Sequence, residues 1–296
     1  MPRALGLLFL LALPLLTQAG TLREKLQERR EERAQQRFDG ELPAGSRVLR
    51  EQVYGEHPRQ RFDLYLPPAA KHAPILFMVH GGGWHTGDKA MAAVVENKAA
   101  HWLRKGYVLV STNYRLIPDA DPLQQAGDVA RAIATVQQQA AGWGGDPARM
   151  VLMGHSAGAH LVSLLNSDSS LAAGAKPLWL GTVALDSAAF DVPTIMHARH
   201  YPLYDQAFGS DTAAWQAASP LLVLRAGARP LLAVCSTRRD DSCPQADAYA
   251  AKAGGLGVRV SVLRKDLSHR AINQQLGAEP AYTAEVDAFL TSLGLP

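Results

Sequence analysis

The chain is poor in the features that mark several function classes. Two of its 296 residues are cysteine, Cys235 and Cys243, and their spacing matches no thiolate metal site. Aromatic residues make up 7% of the chain, and no lysine- or arginine-rich stretch is interleaved with them. With a formal net charge of only +3, this excludes the usual footprint of a nucleic-acid binder. Ten histidines are present, yet no His-x-x-x-His pair or Asp/His cluster gathers them as a metal hydrolase requires. The Gly-x-x-x-x-Gly-Lys-Ser/Thr phosphate loop is missing too. No metal and no cofactor are expected.

Long hydrophobic runs are also scarce. The apolar run Leu5–Leu16, preceded by Arg3 and followed by small and polar residues, is too short to span a bilayer and has the pattern of a secretory signal over residues 1–19. Cleavage after Ala19 leaves Thr17 and Ala19 at the small-residue positions. No cysteine follows the run, so no lipid attachment point exists there, and an exported, periplasmic or secreted, protein without a stable membrane anchor is expected. In an oxidising compartment Cys235 and Cys243 are candidates for a disulfide, and in a reducing one for two thiols. From Thr21 to Arg37 ten residues are charged, with both signs mixed, which makes residues 20–45 a solvated helix or tether with little to bury.

Hydrophobic residues nevertheless make up 47% of the chain, ample for one core over residues 46–296. Near-continuous apolar runs at "RFDLYLP", "PILFMVHGG", "YVLVSTNYRL", "RMVLMGHS", "LWLGTVALDS", "RPLLAVCS" and "VRVSVLRK" alternate with amphipathic stretches such as 122–141, 156–165 and 281–293. Such alternation predicts an α/β fold with a mostly parallel sheet covered by helices on both faces. Ligands in such sheets bind beyond the carboxyl ends of the strands. What each strand runs into is therefore informative. One leads into His80-Gly81-Gly82-Gly83-Trp84, one into Gly154-His155-Ser156-Ala157-Gly158, one into Arg238-Arg239-Asp240-Asp241, and one into Ser268-His269. A serine inside Gly-x-Ser-x-Gly, then an acid, then a histidine, each just after a strand, is the hydrolase order.

Residues 75–296 resemble the α/β-hydrolase fold, and among its members the esterases with an HGGG-type loop, similar to bacterial carboxylesterases, kynurenine formamidases and feruloyl- or acetyl-esterase-like enzymes. The resemblance is carried by "HGGGWHTGDK" (80–89), "NYRLIP" (113–118), "GWGGDPARMVLMGHSAGAHL" (142–161) and "SHRAINQQLG" (268–277). It implies Ser156 as nucleophile and His269 as its base, with His155 packing away from the site. Family members commonly carry an aspartate, two intervening residues, a small apolar residue and proline, which Asp240 to Pro244 fits. Asp240 is thus the expected acid, Asp241 the next choice, and Asp186 in "VALDS" the third. Cys235-Ser236 stands where the family often has His-Gly, and a Cys235–Cys243 bridge would hold that loop.

A free serine hydroxyl is a poor nucleophile and needs such a base, and its tetrahedral intermediate needs donors for the oxyanion. Backbone N–H groups of Gly82, Gly83 and Ala157 are the candidates. Trp84 and His85, next along the loop, are candidates for the substrate pocket. An insertion at about 188–219, with Phe190, Tyr201, Tyr204, Phe208 and Trp215, is expected to wall the site or form a small core of its own. The expected partner is a small-molecule or polysaccharide-linked ester, its acyl group short (acetyl or another short chain) or feruloyl. A formamidase is the alternative on the same machinery, and a non-catalytic binding module is the alternative of another class.

Overall fold

A computed structural model describes residues 38, 40, 42–172, 176, 178–187 and 189–296. The signal-like segment and most of the charged segment therefore lie outside the described residues. Eight strands, β1 (Arg47–Val53), β2 (Arg61–Leu66), β3 (Ala73–Val79), β4 (Val108–Thr112), β5 (Gly145–His155), β6 (Gly181–Leu185), β7 (Leu231–Ser236) and β8 (Val260–Lys265), form one sheet in the order β1-β2-β4-β3-β5-β6-β7-β8. The pairs β1–β2 and β2–β4 are antiparallel, and every pair from β4 through β8 is parallel. The seven apolar runs read from the sequence are β2 to β8. The eighth, β1, is mostly polar and is half-exposed at the sheet edge, so its sequence lacks the apolar run that marks the others.

Helices cover both faces. They are α1 (Ala92–Trp102), α2 (Pro122–Gln139), α3 (Ala157–Ser167), α4 (Val192–His197), α5 (Pro202–Phe208), α6 (Thr212–Ala217), α7 (Pro220–Val223), α8 (Ser242–Gly255), α9 (His269–Gln274) and α10 (Pro280–Ser292). β3, β4 and β6 are buried along their whole length, because a parallel sheet with helices on both faces leaves no side for water. One core packs Phe77, Val79, Leu152 and Val110 against α2 and α3. The other packs Leu76, Met78, Met153 and Leu185 against α1 and α10. Local chemistry sets the helix starts. Asp121 and Gln124 form a reciprocal capping box with Pro122 in the first turn of α2, and Ser268 accepts from Ala271 N at the start of α9.

The folded unit begins earlier than residue 46. Phe38 is buried, its ring 6.1 Å from that of Tyr65, and its N–H donates to Ala90 O at 2.6 Å. Burying a phenylalanine contributes about 2 kcal/mol, enough to dock that end of the charged segment. The insertion between β6 and β7 is helical, α4 to α7. Tyr204, Phe208 and Trp215 join the main core, Phe190 packs on Tyr249, and Tyr201 stays 69% exposed. Among the described residues no helix is long and apolar enough to cross a membrane.

Candidate active site

β5 runs into α3 through a turn tight enough to need two glycines. A Cβ on Gly154 would stand 2.3 Å from Gly158 O, and one on Gly158 would stand 2.2 Å from Val79 O. Helix and strand therefore approach as closely as backbone allows. Ser156, between them, adopts φ 54° and ψ −118°, a left-handed conformation for a residue with a side chain. Such strain costs roughly 1–3 kcal/mol and persists only where the surroundings enforce it. Here Ser156 N donates to Leu185 O at 2.9 Å, and the first turn of α3 follows immediately. The serine is thus held above the sheet at the carboxyl ends of the strands, in a cavity of about 930 Å3 that His269, Asp186 and the glycine loop also line.

The acid beside His269 is Asp186. His269 Nδ1 lies 2.5 Å from Asp186 Oδ2, while Asp240, expected from the spacing to Pro244, is exposed. Asp241, the second choice, is engaged by Arg239, whose Nη2 donates to its Oδ2 at 3.0 Å. The loop that was expected to supply the acid supplies donors to it instead. Asp186 Oδ1 accepts from Ser236 N at 2.7 Å and from Ser242 Oγ, and Oδ2 also accepts from Arg239 Nη1 at 2.9 Å. Asp186 itself directly follows β6 with φ 55°, a second left-handed residue, which turns its chain at the strand end. Burial pushes its carboxyl up. The hydrogen bonds from His269 and Ser242, with the charges of His269 and Arg239, outweigh burial and hold it well below the usual carboxylate range.

Cys235 and Cys243 are joined as a disulfide. The bridge closes the loop between β7 and α8, and the residues next to the two cysteines, Ser236 and Ser242, are the two donors to Asp186 Oδ1. Ser236 Oγ also donates to Leu267 O at 2.6 Å, which ties this loop to the segment entering His269.

His155 does not pack away from the site. Its Nε2 lies 3.0 Å from His269 O and the two rings are 4.5 Å apart, so it braces the histidine from below. Accepting at the carbonyl requires that Nε2 carry the proton. Burial and the neighbouring His269 push the His155 imidazole well below its ordinary value, which keeps it neutral. Behind it, Lys98 on α1 is buried and donates to Asn273 O at 2.7 Å and Asn273 Oδ1 at 2.8 Å, pinning α9 to α1. Burial pushes the Lys98 ammonium down to about 7.

The glycine loop is braced just as closely. A Cβ on Gly81 would meet Ser156 Cβ at 2.9 Å, so only glycine lets the loop pass the serine. Gly82, Gly83 and Trp84 all have positive φ. Gly82 O accepts from His85 N and Thr86 N, and Trp84 O accepts from Ile117 N and Gln125 Nε2. The "NYRLIP" segment supplies the support: Asn113 Nδ2 donates to Asp88 Oδ2 at 2.7 Å, and Tyr114 donates to His80 O and stacks on its ring at 4.6 Å. Burial pushes His80 down to about 4. Gly82, Gly83, Ala157 and Trp84 line the cavity as expected. His85 does not: the left-handed turn at Trp84 carries it past the cavity wall, which Thr86 lines instead.

The comparisons follow the same segments. The BD-FAE family model matches residues 62–175, from β2 through α3. A probable isoprenylcysteine alpha-carbonyl methylesterase of Arabidopsis thaliana is 38% identical over 119 residues, 40% of this chain and 28% of that one. Kynurenine formamidase of Danio rerio is 31% identical over 123 residues, 41% of this chain and 40% of that one. This chain thus spans well under half the length of either relative. Among solved structures, esterase B from Lactobacillus rhamnosis matches with a TM-score of 0.70 and 20% identity over 94% of both chains. The chain therefore has the α/β-hydrolase fold, and its loop-bearing half is similar in sequence to esterases.

Proposed function

We propose that the chain is a serine carboxylic ester hydrolase acting through an acyl-enzyme. One observation carries the reading: a serine at a strained strand-to-helix turn opens into the cavity that holds a histidine bonded to a buried carboxylate. In the first step Ser156 Oγ attacks the ester carbonyl as His269 Nε2 takes its proton, and Asp186 stabilises the imidazolium that forms. Charge gathers on the carbonyl oxygen, and the N–H groups of Gly82, Gly83 and Ala157 are assigned to receive it, each such donor being worth about 3 kcal/mol in the barrier. His269 returns the proton to the leaving alcohol. The same histidine then activates water, which releases the acid and restores the serine.

The preferred substrates are esters with short acyl groups. Trp84 is packed at 5.0 Å from the Phe208 ring, 5.5 Å from His160 and 5.9 Å from Tyr204, a filled aromatic wall behind the glycine loop. The cavity exceeds what an acetyl group needs, and its remaining space is assigned to the alcohol. A location outside the cytoplasm is part of the proposal. It is supported by the signal-like Leu5–Leu16 run and by the disulfide.

The test is hydrolysis of 4-nitrophenyl esters from acetate to decanoate by the protein and its Ser156→Ala variant. Turnover that peaks at short chains and disappears in the variant is the expected result. A second reading, a formamidase, is favoured by the likeness to the zebrafish enzyme over the loop-bearing segment. Turnover of an aryl formamide faster than of the esters would select it.

A further inference from the structure

One guanidinium stands where α/β-hydrolase chemistry has no obvious use for it. Arg239 Nη1 lies 2.9 Å from Asp186 Oδ2 and 2.8 Å from His269 Nδ1. Two N–H groups do not donate to one another. With Nδ1 protonated, imidazole and guanidinium therefore both point at the same carboxylate oxygen, their nitrogens in contact. Arg239 is held there by Asp241, with Nη2 at 3.0 Å from Oδ2 and Nε at 3.0 Å from Oδ1. Its place is fixed further by the disulfide-closed loop on which it sits.

We propose that Arg239 is a positioning residue that shares Asp186 Oδ2 with His269 and opposes protonation of the imidazole, so that His269 keeps its capacity as a base into mildly acidic solution. A carboxylate beside a histidine favours the imidazolium, which in acid would leave the serine without a base. A fixed cation at contact distance acts in the opposite sense, while the carboxylate still fixes the ring and its tautomer. Both effects are needed, and one oxygen shared by two donors delivers both. The inference rests on His269 being the base of the proposed reaction, although its first readout does not require turnover.

The other groups facing His269 leave this role to Arg239. From β5, His155 is buried and neutral against the ring. From α1, Lys98 lies behind His155 and is bonded to Asn273. On its own helix Arg270 is the next residue and lines the cavity, and Asp88 lines it from the glycine loop. Asp266 and Arg238, in the loops before α9 and α8, pair with each other at the surface. Among the described residues, only Arg239 and Asp186 are hydrogen-bonded at Nδ1.

The experiment is the titration of the His269 imidazole, followed by NMR of protein labelled at histidine and assigned with His269→Asn. It is run on the protein and on Arg239→Gln, Arg239→Lys and Asp241→Asn, alongside the acid limb of kcat/KM on an uncharged 4-nitrophenyl ester. Arg239→Gln is expected to raise the midpoint by about one pH unit. Asp241→Asn, which leaves the guanidinium uncompensated, is expected to lower it by a smaller amount, and Arg239→Lys to leave it near that of the parent. A purely structural arginine moves neither midpoint and only lowers kcat. Shifts of the same sign in Arg239→Gln and Asp241→Asn, or no shift in either, overturn the inference. So does faster turnover by Arg239→Gln at an unmoved midpoint, which would mean that the guanidinium donates into an unprotonated Nδ1 and holds the inactive tautomer. If the midpoints move as stated but Ser156→Ala keeps full activity, the hydrolytic reading fails and the role of Arg239 on His269 stands.

Discussion

Replacing Asp186 with asparagine separates the acid seen in the structure from the acid that the spacing suggests. The carboxylate is buried and takes four donors: Ser236 N and Ser242 Oγ on Oδ1, His269 Nδ1 and Arg239 Nη1 on Oδ2. Asparagine has the same shape, so its carbonyl can keep the two serine donors. Its NH2 group then faces His269 Nδ1 and Arg239. An amide donor at Nδ1 moves the imidazole proton to Nε2, where the proposed base needs a lone pair. Arg239 also loses the charge it was paired with. The wrong tautomer and the lost imidazolium stabilisation together lower kcat by roughly 10^3–10^4-fold, about 4–5.5 kcal/mol of barrier. KM should change only a few-fold, since Asp186 stabilises the base and does not hold substrate. The assay is kcat and KM on a short 4-nitrophenyl ester, with near-ultraviolet circular dichroism to verify the fold. Asp240→Asn, at an exposed position, is expected to stay within about twofold of the parent, as surface substitutions usually do. A severe loss in Asp240→Asn with Asp186→Asn near normal would refute the assignment.

Three further outcomes follow from named contacts. Removing the disulfide by Cys235→Ala with Cys243→Ala should lower the unfolding free energy by about 2–3 kcal/mol and reduce kcat, because the bridge holds Ser236 and Ser242 against Asp186. Denaturant titration and kcat measured together check this, and an unchanged kcat would show that the loop is held by other means. Gly158→Ala places a methyl 2.2 Å from Val79 O and 2.5 Å from His80 O. It should destabilise by roughly 3 kcal/mol or more, beyond the usual range for one substitution, which thermal melting will show. The third concerns pH. His80, His155 and His160 are buried with lowered pKa values, about 4 for His80 and His160. The unfolded chain therefore binds protons below about 6.5 that the folded chain does not, and stability is lost as pH falls through that window, by up to about 1.4 kcal/mol per histidine per pH unit. Asp186 acts later: its depressed carboxyl contributes stability above about pH 4 that is lost only on further acidification. Urea midpoints that stay flat from pH 7 to pH 5 would contradict the burial of neutral histidines.

Strand positions and the tight turn at Ser156 were legible because their signals are local. β3, β4 and β6 are buried throughout and rich in apolar residues, and the Ser156 turn needs glycines at two fixed offsets in the chain. The half-exposed β1 carried no such run. The acid was misplaced because its identity depends on which strand end reaches His269, and the chain offered Asp186, Asp240 and Asp241 within reach of two adjacent strands. Spacing to Pro244 favoured Asp240. A signal for Asp186 did exist, since a charged residue directly after a fully buried strand is costly unless partnered. The contact of His155 with His269, across 114 positions, and the turn that carries His85 past the cavity have no comparable local sign.

The role proposed for Ser156 is that of the activated nucleophile of this site. The most direct measurement is reaction of the folded protein with a serine-directed fluorophosphonate, followed by intact mass and peptide mapping, with Ser156→Ala alongside. A single adduct per chain on Ser156, absent from the variant, is the expected result. A folded protein that takes up no label, or a variant that labels as fast as its parent, would contradict it.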